Sequence, residues 1–233
     1  MSEIEQAAGG GHRTFHEKLD TLKQRLLAMS QRSEELLALA VEAFLERDGG
    51  KAAAVLVADS EVDAMEVEIE GLAISLLALQ QPMARDLRFI VSAIKITGDL
   101  ERVGDHAVNI AQSAVRMAGM HSGFRAPEIS DMANRARGML SDALDAMVRL
   151  DGTLGRDVCR RDDDVDRLHE SVFSIMHARM AEDATTISAA LEMLLVSRNL
   201  ERVADLATNV AEDAVYLAEG KTIKHHLEDR KTV

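Results

Sequence analysis

Acidic side chains recur through this sequence at the spacing that places two of them on one face of a helix. Glu101 and Asp105 are four residues apart, and the same pair recurs one hundred residues later. Residues at this spacing lie one helical turn above each other. Two further acidic pairs precede these, so the candidate ligands number eight: Asp59, Asp63, Glu101, Asp105, Asp162, Asp166, Glu201 and Asp205.

Outward-facing acids on a helix are commonly only solvated, and that explanation suffices for any single pair. Like charges four residues apart cost about 0.2–0.5 kcal/mol per pair, yet the arrangement occurs twice in the chain. Carboxylate oxygens are the ligands of hard and borderline divalent cations, which would turn this repulsion into coordination. The whole set of acids therefore predicts metal binding.

The acids of consecutive helices also fall at matching heights. Asp63 lies 19 residues before Pro82 and Glu101 lies 19 residues after it, so a helical hairpin about this proline places them at one level. The other acids of this half match in the same way, and the second half repeats the pattern. The paired acids point either into one shared groove or away from it; if they converge, each half presents a patch of four.

The chain is an internal repeat. The segment LERVGD at 100–105 recurs as LERVAD at 200–205, and DSEVD at 59–63 recurs as DDDVD at 162–166. The first block is shifted by 100 residues and the second by 103. The difference falls between the two blocks, where a turn between helices is expected.

Helix breakers divide the chain into six predicted helices. The breaks are Gly49-Gly50, Pro82, a loop containing Gly123 and Pro127, and Asp151-Gly152. The helices are expected over about 14–48, 51–81, 82–118 and 128–150, then from the Asp151-Gly152 break to about 181, and over 184–219.

Apolar residues recur at alternating spacings of three and four, as in the seam of a helical bundle. The seam runs from Ile96 to Met117 in the third helix and from Val196 to Leu217 in the sixth. In the second helix it comprises Ala58, Val62, Met65, Ile69, Leu72, Leu76 and Leu79. No stretch alternates with period two, so the predicted fold class is all-α, with two tandem antiparallel three-helix bundles. The predicted domains are a disordered leader (1–13), a first bundle (14–121), a second bundle (127–220) and a flexible tail (221–233).

The composition narrows the class of partner. A net charge of −13 argues against sequence-independent nucleic-acid binding, which depends on neutralising phosphates. It favours basic protein surfaces and divalent cations. The single cysteine, Cys159, excludes an internal disulfide. No segment resembles a signal peptide or a membrane span, so we expect a cytoplasmic protein with no membrane insertion.

Other candidate groups are weaker. Neither His106 nor His169 belongs to the repeated pattern, and the element Asp166-Arg-Leu-His169 lacks the Glu-x-x-His partners of a di-iron bundle. Arg102 and Arg202 are interpreted as members of surface ion pairs. The sequence shows no nucleophile–base pair, no glycine-rich phosphate loop and no zinc-type Cys/His spacing, so we expect no catalysis.

Three features together resemble the PhoU family over about residues 15–220. They are the repeated Leu-Glu-Arg-Val-Gly/Ala-Asp followed by Ala-x-Asn-Ile/Val, the Asp-x-x-Val-Asp blocks, and the run Arg85-Asp86-Leu87-Arg88. The resemblance implies two bundles with pseudo-twofold symmetry, a homodimer, and multinuclear iron, zinc or manganese clusters on the eight acids. The chain departs from the family pattern at Ala204 and Leu206, which puts equal metal occupancy of the two halves in doubt.

The resemblance also implies a role in negative regulation of phosphate uptake and phosphate-starvation signalling. The implied partners are the ATPase subunit of a phosphate ABC transporter and the sensor histidine kinase of the phosphate regulon. Two alternatives remain open: a di-iron-type enzyme or metal-storage bundle, and a scaffold whose acidic grooves dock a basic partner without metal.

Overall fold

The computed structural model describes the backbone of residues 2–80, 82–120 and 127–223, and side chains of 15–79, 82–120 and 127–223. These residues form six α-helices and no strand, which confirms the all-α prediction. The helices are α1 (Ser2–Glu46), α2 (Gly49–Gln80), α3 (Ala84–Ala118), α4 (Pro127–Arg149), α5 (Gly152–Glu182) and α6 (Ile187–Glu219). A short 3₁₀ turn (Ala184–Thr186) precedes α6.

Helix ends differ most from the sequence prediction at the start of the chain. Helix α1 begins at Ser2, so residues 2–13 are helical and do not form the predicted disordered leader. Glutamate, glutamine and alanine favour helix over 3–8, whereas Gly9-Gly10-Gly11 disfavour it; the helix crosses these glycines as an extension of α1, which costs far less free energy than nucleating a new helix. Residues 121–126 of the predicted loop and 224–233 of the predicted tail lie outside the described residues.

The same turn joins the first two helices of each half. Arg47 and Leu150 adopt left-handed backbone conformations with φ of 57° and 55°. Each is followed by an aspartate that caps the next helix: Asp48 Oδ1 accepts from Gly50 N at 2.8 Å, and Asp151 Oδ1 accepts from Thr153 N at 3.0 Å. The capping carboxylate therefore starts the new helix, and Gly49-Gly50, predicted as the break, belongs to α2.

Each half forms the predicted three-helix bundle. Helices α1, α2 and α3 pack against one another as the first bundle, and α4, α5 and α6 pack as the second. The predicted seams of α3 and α6 are buried throughout, from Ile96 to Met117 and from Val196 to Leu217. The seam of α2 is confirmed at Val62, Ile69 and Leu76.

Leu79, which we predicted in the seam of α2, is 67% exposed. It lies one residue before the helix ends at Gln80. At this end the neighbouring positions Ala78 and Leu77 are also incompletely buried. The neighbouring helices therefore stop burying the seam before α2 ends, and Leu79 contributes no core packing.

The two bundles meet where α3 packs against α6, and two ion pairs cross this interface. Arg116 Nε lies 2.6 Å from Glu192 Oε1, and Lys95 Nζ lies 3.5 Å from Asp213 Oδ1. Glu192 and Asp213 are only 8% and 2% exposed. Because a buried carboxylate without a counter-ion is costly, these pairs fix how the bundles dock.

We expect Arg116→Ala to lower the free energy of unfolding by about 2 kcal/mol, because it leaves the Glu192 carboxylate buried and unpaired. Urea unfolding followed by circular dichroism measures this change. Arg160→Ala is the matched control, since it removes an arginine from an exposed pair with Asp157 and should cost less than about 1 kcal/mol. Equal midpoints for the two variants would show that the interfacial pair contributes nothing specific.

Candidate metal centres

The acids of α2 and α3 converge on one side of the first bundle. Burial raises the pKa of Asp59, and the Asp63 and Asp105 carboxylates raise it further. Burial also raises the pKa of Glu101, with additional contributions from Asp105, Glu66 and Asp63. These mutual effects require short separations between acids on different helices. Of the two arrangements that the sequence left open, the structure has these acids close to one another, and we call this cluster the first patch (Asp59, Asp63, Glu66, Glu101 and Asp105).

A glycine of the repeated motif allows this approach. A Cβ atom placed on Gly104 would lie 3.3 Å from Asp59 Oδ1 and 3.6 Å from Val62 Cγ1. The bare backbone of α3 at this point therefore lets the α2 carboxylate sit directly against it. The second half has Ala204 in the same place, and its methyl group is fully buried. The two halves consequently differ in how closely the acids can approach the central helix.

The acids of α5 and α6 form a corresponding second patch (Asp162, Asp166, His169, Glu201 and Asp205). Burial raises the pKa of Asp162 to about 6, helped by Asp166, Asp205, Asp163 and Glu201 in that order. Burial likewise raises the pKa of Glu201 and of Asp205. All eight predicted site residues thus lie in the two patches, four in each.

Histidines lie beside the second patch, and our sequence interpretation placed them outside the pattern. The shift of 103 residues that relates the acidic blocks makes His169 the counterpart of Glu66. His169 Nδ1 lies 2.6 Å from Ser197 Oγ, and the ring lowers the pKa of Glu201. The first patch is therefore all carboxylate, whereas the second includes an imidazole. Applying the same shift beyond the acidic block would have found both Glu66 and His169.

A second imidazole reaches the second patch from the other bundle. His106 of α3 lies 2.9 Å from Asn199 Oδ1 through its Nδ1 atom. Its charge lowers the pKa of Asp205, which belongs to α6. This histidine has Leu206 as its counterpart in the repeat, so the first patch gains no equivalent imidazole from α6.

The arginines of the repeated motif act differently in the two halves. Arg202 lies against its own patch, with Nη1 3.1 Å from Asp205 Oδ2 and Nε 3.5 Å from Glu201 Oε2. Arg102 instead pairs with Asp99, at 3.3 Å between Nη1 and Oδ1. Both arginines form the surface ion pairs that we predicted. The second patch is consequently the more neutralised of the two.

The donor chemistry of both patches fits a divalent cation. Their oxygens are hard ligands, and burial, followed by the charge of neighbouring carboxylates, raises the pKa of five of the eight acids. Among the described residues, no three histidine, cysteine, aspartate or glutamate side chains are already drawn together as ligands of one ion. Metal binding would therefore need side-chain rotation within the patches, for which their partly exposed positions leave room.

The raised pKa of Asp162 predicts a pH dependence of stability in chelator-treated protein. The folded state holds this proton up to about pH 6, whereas an ordinary aspartate releases it near 4. The contribution of Asp162 to stability is thus complete below about pH 4 and is lost as the pH rises through about 6. Asp162→Asn should raise the urea midpoint at pH 7.5 and leave it unchanged at pH 4. Asp131→Asn removes an exposed acid of α4 and should leave the urea midpoint unchanged at both pH values; a similar gain at pH 7.5 in both variants would refute the local cause.

The chain is similar to known proteins along most of its length. The PhoU domain family model matches twice, at residues 26–114 and 129–214. A phosphate-specific transport system accessory protein PhoU homolog from Clostridium acetobutylicum is 38% identical over 210 residues, covering 90% of this chain and 96% of that protein. The PhoU homolog of Pseudomonas putida is 35% identical, covering 91% of this chain and 83% of that protein.

Solved structures show the same architecture. The crystal structure of PhoU from Pseudomonas aeruginosa superposes with a TM-score of 0.87 at 34% identity, covering 89% of this chain and all of that chain. The phosphate transport system regulatory protein PhoU from Streptococcus pneumoniae superposes with a TM-score of 0.83 at 26% identity, covering 90% of this chain and 99% of that chain. The two matched domains coincide with the two bundles. The chain belongs to the PhoU family.

Proposed function

We propose that this protein is a cytoplasmic negative regulator of phosphate uptake and phosphate-starvation signalling. The observation that carries the proposal is the extent of its similarity to phosphate-specific transport system accessory proteins, at 38% identity over 96% of one such protein. It acts by binding the ATPase subunit of a phosphate ABC transporter and the sensor histidine kinase of the phosphate regulon, and not by turning over a substrate. No described helix is long and apolar enough to cross a bilayer, so membrane partners would be reached through their exposed domains.

Regulation by binding requires that the protein prefer one state of its partner. A preference of about 1–3 kcal/mol gives a 5–150-fold shift in the partner's equilibrium. Two bundles joined by a charge-paired interface present a fixed surface that supports such selectivity. The net charge of −13 favours docking on basic surfaces, where electrostatic complementarity sets the encounter rate and the specificity.

We further propose that the eight predicted acids hold iron, zinc or manganese. Bound metal would supply positive charge between helices whose carboxylates otherwise repel one another. In each half the donors come from two helices, α2 with α3 and α5 with α6, so the acids would tie one helix to the next. A homodimer, which the family resemblance implied, belongs to the same proposal and is tested by light scattering.

A metal-binding or metal-storage scaffold without a phosphate-regulatory role is the second candidate. The observation that favours it is the pair of acidic patches, because their chemistry does not depend on any partner. The two candidates share the metal prediction and differ only in the response of phosphate-controlled genes.

Glu101→Ala with Asp105→Ala should lower the metal content by roughly half, because it removes two donors of the first patch and leaves the second intact. Elemental analysis of protein purified without chelator gives the content. The fold should survive, since neither side chain is buried in the core. Glu42→Ala with Glu46→Ala is the matched control: these acids are also four apart but pair with Lys51 on another surface. Native protein that neither contains metal nor binds added Mn²⁺, iron or Zn²⁺ would end the metal proposal.

Deleting the gene should leave phosphate-starvation genes active in phosphate-rich medium, because the proposed restraint on the sensor kinase is lost. Transcript levels with and without a restoring copy measure the effect, and the intact chain should silence the genes again. Normal repression in a deletion strain that has no second copy would remove the regulatory role. The metal-binding scaffold would then be the remaining candidate.

A further inference from the structure

The side of α2 that faces away from both neighbouring helices carries an apolar stripe. Its residues alternate at spacings of three and four and are all exposed. Val57, Val67 and Ile74 are 76%, 72% and 60% exposed. We call this surface the outer stripe; it comprises Val57, Ser60, Ala64, Val67, Gly71, Ile74 and Ala78.

The outer stripe is separate from the buried seam of the same helix. Helix α2 packs against α1 and α3 through Val55, Val62, Ile69 and Leu76, which are fully buried. A helix with two apolar faces is usually packed against other structure on both of them. The outer stripe spans 22 residues, or about 30 Å of helix, and a run of apolar exposure on this scale marks an interaction site.

The repeat supplies an internal comparison for this surface. The residues of α5 that correspond to Val57, Ala64, Val67 and Ile74 are Arg160, Arg167, Glu170 and His177. All four are exposed. The fold therefore accepts a charged outer face at the same place, so the apolar character of α2 is not needed for folding.

Gly71 lies near the middle of the outer stripe. A Cβ atom added there would meet nothing within 4 Å, so no contact inside the chain requires glycine. Glycine in a helix interior costs about 1 kcal/mol relative to alanine. A residue without a side chain on an exposed helix allows another backbone to approach closely. This is an independent sign that something packs on the stripe.

The charges beside the stripe identify the occupant. Glu61 and Glu68 flank it on the α1 side, where they pair with Arg32 and Arg25 at 2.8 and 2.9 Å. Asp63, a member of the first patch, and Glu70 flank it on the α3 side. Because the arginines of α1 balance the acids on the other side, the net negative charge lies on the α3 side and favours a partner with a basic flank there. A second copy would bring a second net-negative margin, and an anionic membrane surface would also be repelled.

We propose that the outer stripe docks an amphipathic helix of another protein, with small and apolar residues along its seam and lysine or arginine on the flank that faces α3. Helix-on-helix docking uses the three-and-four spacing that the stripe displays. The basic flank would lie beside Asp63 and Glu70. This surface and its test do not depend on the regulatory role proposed above.

Three synthetic helical peptides of about 28 residues (four heptads) test the proposal. One has a leucine and alanine seam flanked by lysine, a second has the same seam flanked by glutamate, and a third keeps the lysines but has serine in the seam. Fluorescence anisotropy with the full chain gives each affinity. We expect the first peptide to bind at least about tenfold more tightly than either of the others.

The protein variant Val67→Glu/Ile74→Glu should bind the first peptide about tenfold or more weakly than the unaltered chain does. It should fold, because α5 already carries Glu170 at the position of Val67. His177→Glu is the matched control, since it places glutamate at the α5 position that corresponds to Ile74, and it should bind normally. Equal binding of the lysine and glutamate peptides, or equal binding by the two variants, would overturn the proposal. So would light scattering that shows a dimer converted to monomer by Val67→Glu/Ile74→Glu alone, because the occupant would then be a second copy.

Discussion

The contact between α3 and α6 governs the whole molecule, because most of the packing between the two bundles runs through these helices, with a smaller contact between α1 and α4. At this contact α6 buries two acids, Glu192 and Asp213, in contrast to the apolar seams inside the bundles. The crossing ion pairs are one-directional: α3 supplies Lys95 and Arg116, and α6 supplies the two acids. These charge pairs specify the relative orientation of the two bundles, which an apolar contact alone would not specify.

The repeat is broken at the positions that form these pairs. Ser92 and Ser113 of α3 correspond to Glu192 and Asp213 of α6, while Lys95 and Arg116 correspond to Leu195 and Tyr216. A contact between two copies of α6 would bring buried acids together, and one between two copies of α3 would bring cations together. The divergence of the two halves therefore favours their pairing with each other within one chain.

Much of this architecture was predictable because it depends on short-range rules. The 3.6-residue period of α3 and α6 identified their buried residues, and the equal counts on either side of Pro82 brought Asp63 level with Glu101. The features that could not be predicted depend on which neighbouring helices cover a given residue. A period cannot show that Leu79 lies beyond the cover of its neighbours, or that the apolar residues around Val67 face away from the core. His169 was misjudged for a simpler reason, since the acidic block's own shift was not extended to it.

The duplicated turns at Arg47-Asp48 and Leu150-Asp151 bear on how the chain reaches this structure. Each turn is closed by the backbone and side chain of residues adjacent in sequence, so the α1–α2 and α4–α5 hairpins need no distant contact to begin forming. Low sequence separation between contacting residues is associated with fast folding. The α3–α6 interface joins segments about one hundred residues apart, so its formation comes with the larger loop-closure entropy. These separations favour the following order of folding during synthesis. The two hairpins form first, the third helix of each half then packs onto its hairpin, and the two halves join last.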